Sequence, residues 1–189
     1  VGLVLGRPLP IWVTTGVAAL LSLVLCWRIA QADLRPRLRP SSRGLVLGVA
    51  AAATLTLATY AVFPVAKSLV PELEHELTRL YARLADWPGP LAASPLLVLV
   101  VFAEEVAWRG VLVSALERLF QERRAAIVVV AAVLYALPQL GAESWLMLPV
   151  ALGCGLVWTA TRLASGELTA PLLAHLGWDL WVFVIHPLA

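Results

Sequence analysis

The chain has 189 residues, 61% of them hydrophobic and 14% charged, and a formal net charge of +2. Its mean hydropathy is +0.87. A soluble domain carries about 25% charged residues, so this composition excludes an ordinary fold in water and points to lipid as the solvent.

The expectation is an all-α integral membrane domain over residues 1–189, a polytopic bundle of about six spans plus one interfacial helix. The first apolar run, residues 10–29, is near the roughly 20 residues that cross a bilayer. It lacks a small-residue cleavage site before its basic flank, so it reads as a span and not as a signal peptide. Arg35, Arg37, Arg39 and Arg43 follow, then a second span at 44–65. Residues 71–86 are polar, with Leu73, Leu77, Leu80 and Leu84 at helical spacing, as in a helix lying on the membrane surface. The run Trp87-Pro88-Gly89-Pro90 breaks it. The third span is expected at 91–119, the fourth at 125–140, the fifth at 145–163 and the sixth at 168–185.

The arginines fall in short clusters between spans, a pattern of topology and not of nucleic-acid binding. Arg35 to Arg43, Arg118 to Arg124, and Arg162 follow spans one, three and five, so one topology places all three clusters in the cytoplasm. Both termini and residues 71–86 are then on the other side. Trp12, Trp87 and Trp145 fall at expected interfaces. Cys26 and Cys154 lie in apolar runs, match no zinc spacing, and read as buried inert thiols. Neither a linker nor a convincing internal repeat is visible.

Ionisable residues inside spans carry the information. Glu104, Glu105 and Arg109 would together cost on the order of 8 kcal/mol if they faced lipid, so they must face the bundle interior or a wet cavity. Glu105 and Arg109 are four apart and can pair on one helix face. Glu104 is turned by about 100° from Glu105 and is the less neutralised of the two. Trp108, four after Glu104, is placed to wall it off from water. A structural Glu–Arg pair explains Glu105 and Arg109 and leaves Glu104 unexplained; a buried carboxylate beside a like charge suits a general base or acid. His175 and Asp179 form a second pair, four apart in span six. The imidazole could donate to a developing oxyanion and Asp179 could fix its tautomer or hold a substrate backbone. Tyr135 and Gln139 are likewise four apart, around Pro138. His75 and His186 are expected to be solvated.

Other intramembrane chemistries fit less well. HExxH is absent, a single aspartate lies in a span, and no serine has the glycines and histidine of a membrane serine protease. The carboxylates and His175 form a conceivable divalent-metal set, against which Arg109 argues. No metal and no cofactor are expected. A proton-coupled transporter using Glu104 as its relay is disfavoured by the lack of an inverted repeat.

The run Glu104-Glu105-x-x-x-Arg109-Gly110 resembles the EExxxR motif of the CPBP family, the CAAX-protease and bacteriocin-processing membrane proteins that include the type II CAAX prenyl endopeptidases. The stretch TRLASGELTAPLLAHLGWD resembles that family's final HxxxN or HxxxD motif with its lead-in. The resemblance covers residues 91–185. It implies a metal-independent, glutamate-dependent intramembrane endopeptidase in which Glu104 is the general base. Glu105 and Arg109 would support it, and His175 and Asp179 would form the oxyanion and backbone-holding part. Where the family's middle motif carries a water-activating His, this chain has Gln139, which can bond a water but cannot take its proton. Catalysis then rests on Glu104, with or without a larger share for His175, or the chain is a non-proteolytic member that binds a peptide or confers immunity. The Ala/Leu/Arg-rich composition reads as that of a high-GC bacterium, hence a multi-pass protein of the bacterial inner membrane. The resemblance then extends to proteases of C-terminal sorting tails, the myxosortase kind, and implies a protein or peptide substrate with a membrane-proximal C-terminal segment.

Overall fold

The structure, a computed structural model, describes residues 3–4, 7–8, 11–85, 89–121, 123–141 and 144–188. A two-residue antiparallel pairing, β1 (Leu3–Val4) with β2 (Arg7–Pro8), precedes an otherwise helical chain. The helices are α1 (Ile11–Arg37), α2 (Ser42–Leu69), α3 (Glu72–Leu84), α4 (Pro90–Glu104), α5 (Val113–Phe120), α6 (Arg124–Ala136), α7 (Met147–Ser165) and α8 (Thr169–Asp179). A π-helical segment, Glu105–Leu112, joins α4 to α5 without a break. A second, Leu180–Ile185, extends α8. A 3-10 turn, Leu137–Gly141, ends α6.

Four helices are long and apolar enough to cross a membrane: Trp12–Arg37, Ser42–Leu69, Arg124–Gly141 and Met147–Ser165. The chain is an integral membrane protein, an all-α bundle. The expected third span is helical throughout and the sixth from Thr169 on, but each changes from α to π geometry directly after a carboxylate, at Glu104 and at Asp179. Thr169–Ile185 is also a short apolar helix, about 25 Å at 1.5 Å per residue. Glu104, Glu105, Arg109, His175 and Asp179 thus all lie on helices with a π segment. Short π segments recur at functional sites.

Local chemistry sets the helix ends. Ser41 caps α2, its Oγ accepting from Gly44 N at 3.0 Å. Pro90 opens α4, where its missing N–H costs nothing. Gly166, at φ 79°, closes α7 in the left-handed conformation. The expected first span ends too early: α1 runs on to Arg37 through a kink at Ala30.

Small residues let the central helices meet closely, as lipid-embedded bundles require. A Cβ on Gly48 of α2 would fall 2.7 Å from the Ala170 carbonyl oxygen of α8, and one on Gly177 would fall 2.9 Å from Ala52 Cβ. Gly155 of α7 similarly abuts Ala132 of α6. Four apolar clusters fill the interior, the largest around Trp158, Trp178, Tyr135 and Ala174.

The two ends of the bundle differ in charge. At one end Arg37 and Arg162 both reach Glu117, at 3.2 and 3.4 Å. Arg118 pairs with Asp33, and Ser41 Oγ donates to Glu167 at 2.7 Å. The basic segments after the expected spans one, three and five therefore share one end, as the charge pattern requires. At the opposite end α3 buries Leu73 and Leu77. Glu76, also buried, accepts from Ser144 Oγ at 3.0 Å and pairs with Arg79. This polar anchor of α3 carries no signal in the leucine spacing.

The interface tryptophans divide. Trp145 is exposed. Trp12 is buried against Ala93 and Leu97 and donates its indole N–H to the Leu84 carbonyl at 3.3 Å, so it serves packing between α1, α3 and α4 and not a lipid interface. Trp87 lies outside the described residues. His75 and His186 are exposed as expected, and His186 stands edge-on to Tyr60. Cys26 and Cys154 are buried free thiols.

Candidate active site

The π segment after Glu104 and the middle of α8 face each other, and α6 and α7 close the site from the side. Glu105 and Arg109 are both 1% exposed and pair at 3.1 Å, the four-residue spacing surviving the wider turn. The same Glu105 Oε1 also meets His175 Nδ1 at 2.8 Å. Glu105 is therefore shared between a guanidinium and an imidazole from another helix. His175 Nε2 lies 3.4 Å from Asp179 Oδ2, so the ring sits between two carboxylates. The i,i+4 pair expected on α8 is present, and the tie to Glu105 adds a contact that spacing within one helix could not reveal.

Glu104 has a different environment. It is only partly buried, and its Oε2 accepts from the Tyr135 hydroxyl at 2.9 Å. Its other oxygen has no hydrogen-bond partner among the described residues. Trp108 stands edge-on to Tyr135, with ring centroids 5.6 Å apart. It thus walls the tyrosine that holds Glu104, which is one step removed from shielding the carboxylate itself.

The cations are held by aromatic faces. The Arg109 guanidinium lies 4.2 Å from the Tyr135 ring centre and 5.2 Å from that of Trp158. Its Nε and Nη2 have no hydrogen-bond partner among the described residues, and ring quadrupoles stand where water would otherwise solvate the charge. Trp158 also stacks on His175, centroids 3.6 Å apart and planes 19° from parallel. Trp158 was not marked by the sequence: it is one of eight tryptophans, on an apolar helix, with no motif around it. Its position four before Arg162, itself fully buried, is the sole local hint.

Seven of the eight expected site residues are thereby brought together: Glu104, Glu105, Trp108, Arg109, Tyr135, His175 and Asp179. Gln139 is not joined to them. It sits partly exposed on the 3-10 turn, and no hydrogen bond among the described residues links it to the cluster. Pro138 supplies the reason. It cannot donate to the i−4 carbonyl and its ring crowds that carbonyl, so the α-helix stops at Ala136 and the four-residue stacking of Tyr135 with Gln139 is not kept.

With regard to metal binding, Glu105 Oε1 is already engaged by Arg109 and by His175 Nδ1, and His175 Nε2 faces Asp179 Oδ2. Among the described residues no group of three or more His, Cys, Asp or Glu side chains is placed to hold a metal ion.

No curated protein and no solved structure matches this sequence. A protein-family model does, that of the type II CAAX prenyl endopeptidase Rce1-like proteins, over residues 86–181. The matched stretch contains every residue of the cluster just described. On that match, which spans half of the chain, the protein belongs to the Rce1-like family of CAAX-type membrane endopeptidases.

Proposed function

We propose that the chain is a glutamate-dependent intramembrane endopeptidase that cuts a protein substrate near a C-terminal membrane segment or sorting tail. The observation that carries this reading is the asymmetry of the paired carboxylates. Glu105, 1% exposed, is committed through Oε1 to Arg109 and His175, whereas Glu104, partly exposed, meets only the neutral Tyr135 hydroxyl and has its second oxygen open to a water.

In this reading the water lies between Glu104 and the scissile carbonyl. Glu104 takes one proton as the water oxygen attacks, then passes it to the departing amine as the C–N bond breaks. The charge that develops on the carbonyl oxygen is met by His175. An imidazole between two carboxylates is best served by a proton on each nitrogen. The 3.4 Å contact to Asp179 is long beside the roughly 2.7–2.9 Å of a charge-assisted bond. Nε2–H is accordingly the donor free to turn to an oxyanion. Asp179 then positions the ring or a substrate N–H. No metal takes part, and Gln139 leaves Glu104 as the sole base.

With the basic end in the cytoplasm, the protein is a multi-pass enzyme of a bacterial inner membrane, and a sorting-tail substrate of the myxosortase kind suits it. The lack, among the described residues, of a hydrogen bond from Gln139 to the cluster favours one second reading, a catalytically impaired member that binds a peptide or confers bacteriocin immunity. Reconstitution with tailed substrates separates the two. The enzyme reading requires that wild type cleaves and Glu104→Ala does not. The impaired reading requires an inactive wild type that gains cleavage with Gln139→His.

A further inference from the structure

Hydrolysis inside a bilayer needs a supply of water, and three buried polar atoms on α7 mark where it enters. Trp158 Nε1, Thr159 Oγ1 and Arg162 Nε have no hydrogen-bond partner among the described residues, on residues that are 2%, 1% and 0% exposed. An unmet buried donor costs on the order of 1–3 kcal/mol, and ordered water is the usual partner of such groups. The three fall within one turn and a half of helix. At its inner end the series meets the site, since Trp158 lies on His175 and beside Arg109. At its outer end Arg162 reaches Glu117 at 3.4 Å. Glu117 in turn lines a cavity of about 160 Å³ at the basic end, with Gln121, Arg124, Ile127 and Leu163. That cavity has room for several waters.

Among the described residues, the cavity at the opposite end is apolar. About 300 Å³ in volume and beneath α3, it is walled by apolar side chains apart from Thr59 and Tyr81. Thr59 Oγ1 is engaged by Trp178 and Leu55, and the Tyr81 hydroxyl by Val182 and Leu188. The seam between α2 and α8 is shut by the close approach at Gly48 and Gly177.

We propose that α7 carries a water path from the basic end of the bundle to the Glu104 centre, entered past Glu117 and lined by Arg162 Nε, Thr159 Oγ1 and Trp158 Nε1. Its purpose rests on the hydrolytic reading above, but its existence does not. The path delivers the reacting water from the side opposite α3.

The test uses the full chain in sided proteoliposomes, with Cys26→Ala and Cys154→Ala as background and Thr159→Cys as the reporter. Silver ion, a probe of nearly the size of water, is added to one side, and blocked thiol is scored by loss of maleimide labelling after denaturation. The expected result is blocking from the basic-end side, roughly tenfold or more faster than from the other. Gln121→Cys on the exposed turn reports orientation, and lipid-facing Leu152→Cys should stay unblocked. Lack of blocking from either side, or equal or faster blocking from the α3 side, overturns the path. The same measurement in the Glu104→Gln background keeps the outcome separate from proteolysis. If Thr159→Cys does not fold, the pair Thr159→Val and Thr159→Ser replaces it. Valine should lower kcat roughly tenfold at unchanged KM, and serine should restore it. Equal kcat in the two overturns the path.

Discussion

Trp158 lies flat on His175, with ring centroids 3.6 Å apart and planes 19° from parallel. The indole covers one face of an imidazole whose two nitrogens point at Glu105 and Asp179. A stacked aromatic pair contributes about 0.5–1.5 kcal/mol beyond the area it buries. Trp158→Leu should therefore lower kcat roughly 2- to 12-fold, and Trp158→Phe, which keeps a ring, should lose less. Steady-state cleavage in proteoliposomes checks the order; equal rates in the two variants would separate the stacking from catalysis.

The two glutamates should fail in different ways. Glu105→Gln leaves Arg109, 1% exposed, without its counter-charge, at a cost of about 3–5 kcal/mol. It should lower the thermal unfolding midpoint in detergent markedly. Glu104→Gln removes no ion pair and should unfold like wild type while losing cleavage. If Glu104→Gln is the less stable of the two, the assignment of scaffold and base is reversed.

Tyr135→Phe removes the hydroxyl that holds Glu104 at 2.9 Å. A hydrogen bond to a charged group contributes about 1.5–3 kcal/mol, so kcat should fall roughly 10- to 150-fold. The ring face over Arg109 remains, so the unfolding midpoint should move little.

The close seam between α2 and α8 predicts a stability effect remote from the chemistry. Gly48→Leu would place side-chain atoms where the Ala170 carbonyl and Leu173 Cβ already lie within 2.8 Å of its Cβ. Overpacking of this kind costs about 1–3 kcal/mol, read as easier unfolding in mixed detergent micelles.

Much of this architecture is legible from residue spacing alone. The four-residue intervals between Glu105 and Arg109, and between His175 and Asp179, put each pair on one helix face, and both pairs form. Leu73 and Leu77 bury one face of α3, and the arginine clusters gather at one end because lipid forces charged loops to alternate sides. Other features depend on contacts that no local pattern encodes. The π segments begin directly after Glu104 and Asp179, and nothing in the local spacing marks them. The bond between His175 and Glu105 spans 70 positions. Trp158 looks like any apolar helix residue until α7 is laid against α8. Gln139 is the reverse case: its spacing from Tyr135 implies a shared face, and Pro138 ends the α-helix before that face is reached. Trp12 follows composition to an interface, yet the neighbouring Leu84 carbonyl draws it inside.

The measurement closest to the central claim is cleavage of a tailed membrane substrate by reconstituted wild type, Glu104→Gln and Glu105→Gln, each confirmed folded, with and without excess EDTA. The account predicts cleavage by wild type that EDTA leaves unchanged, and loss of cleavage in folded Glu104→Gln. Cleavage that persists in Glu104→Gln, or that EDTA abolishes and a divalent ion restores, would contradict it.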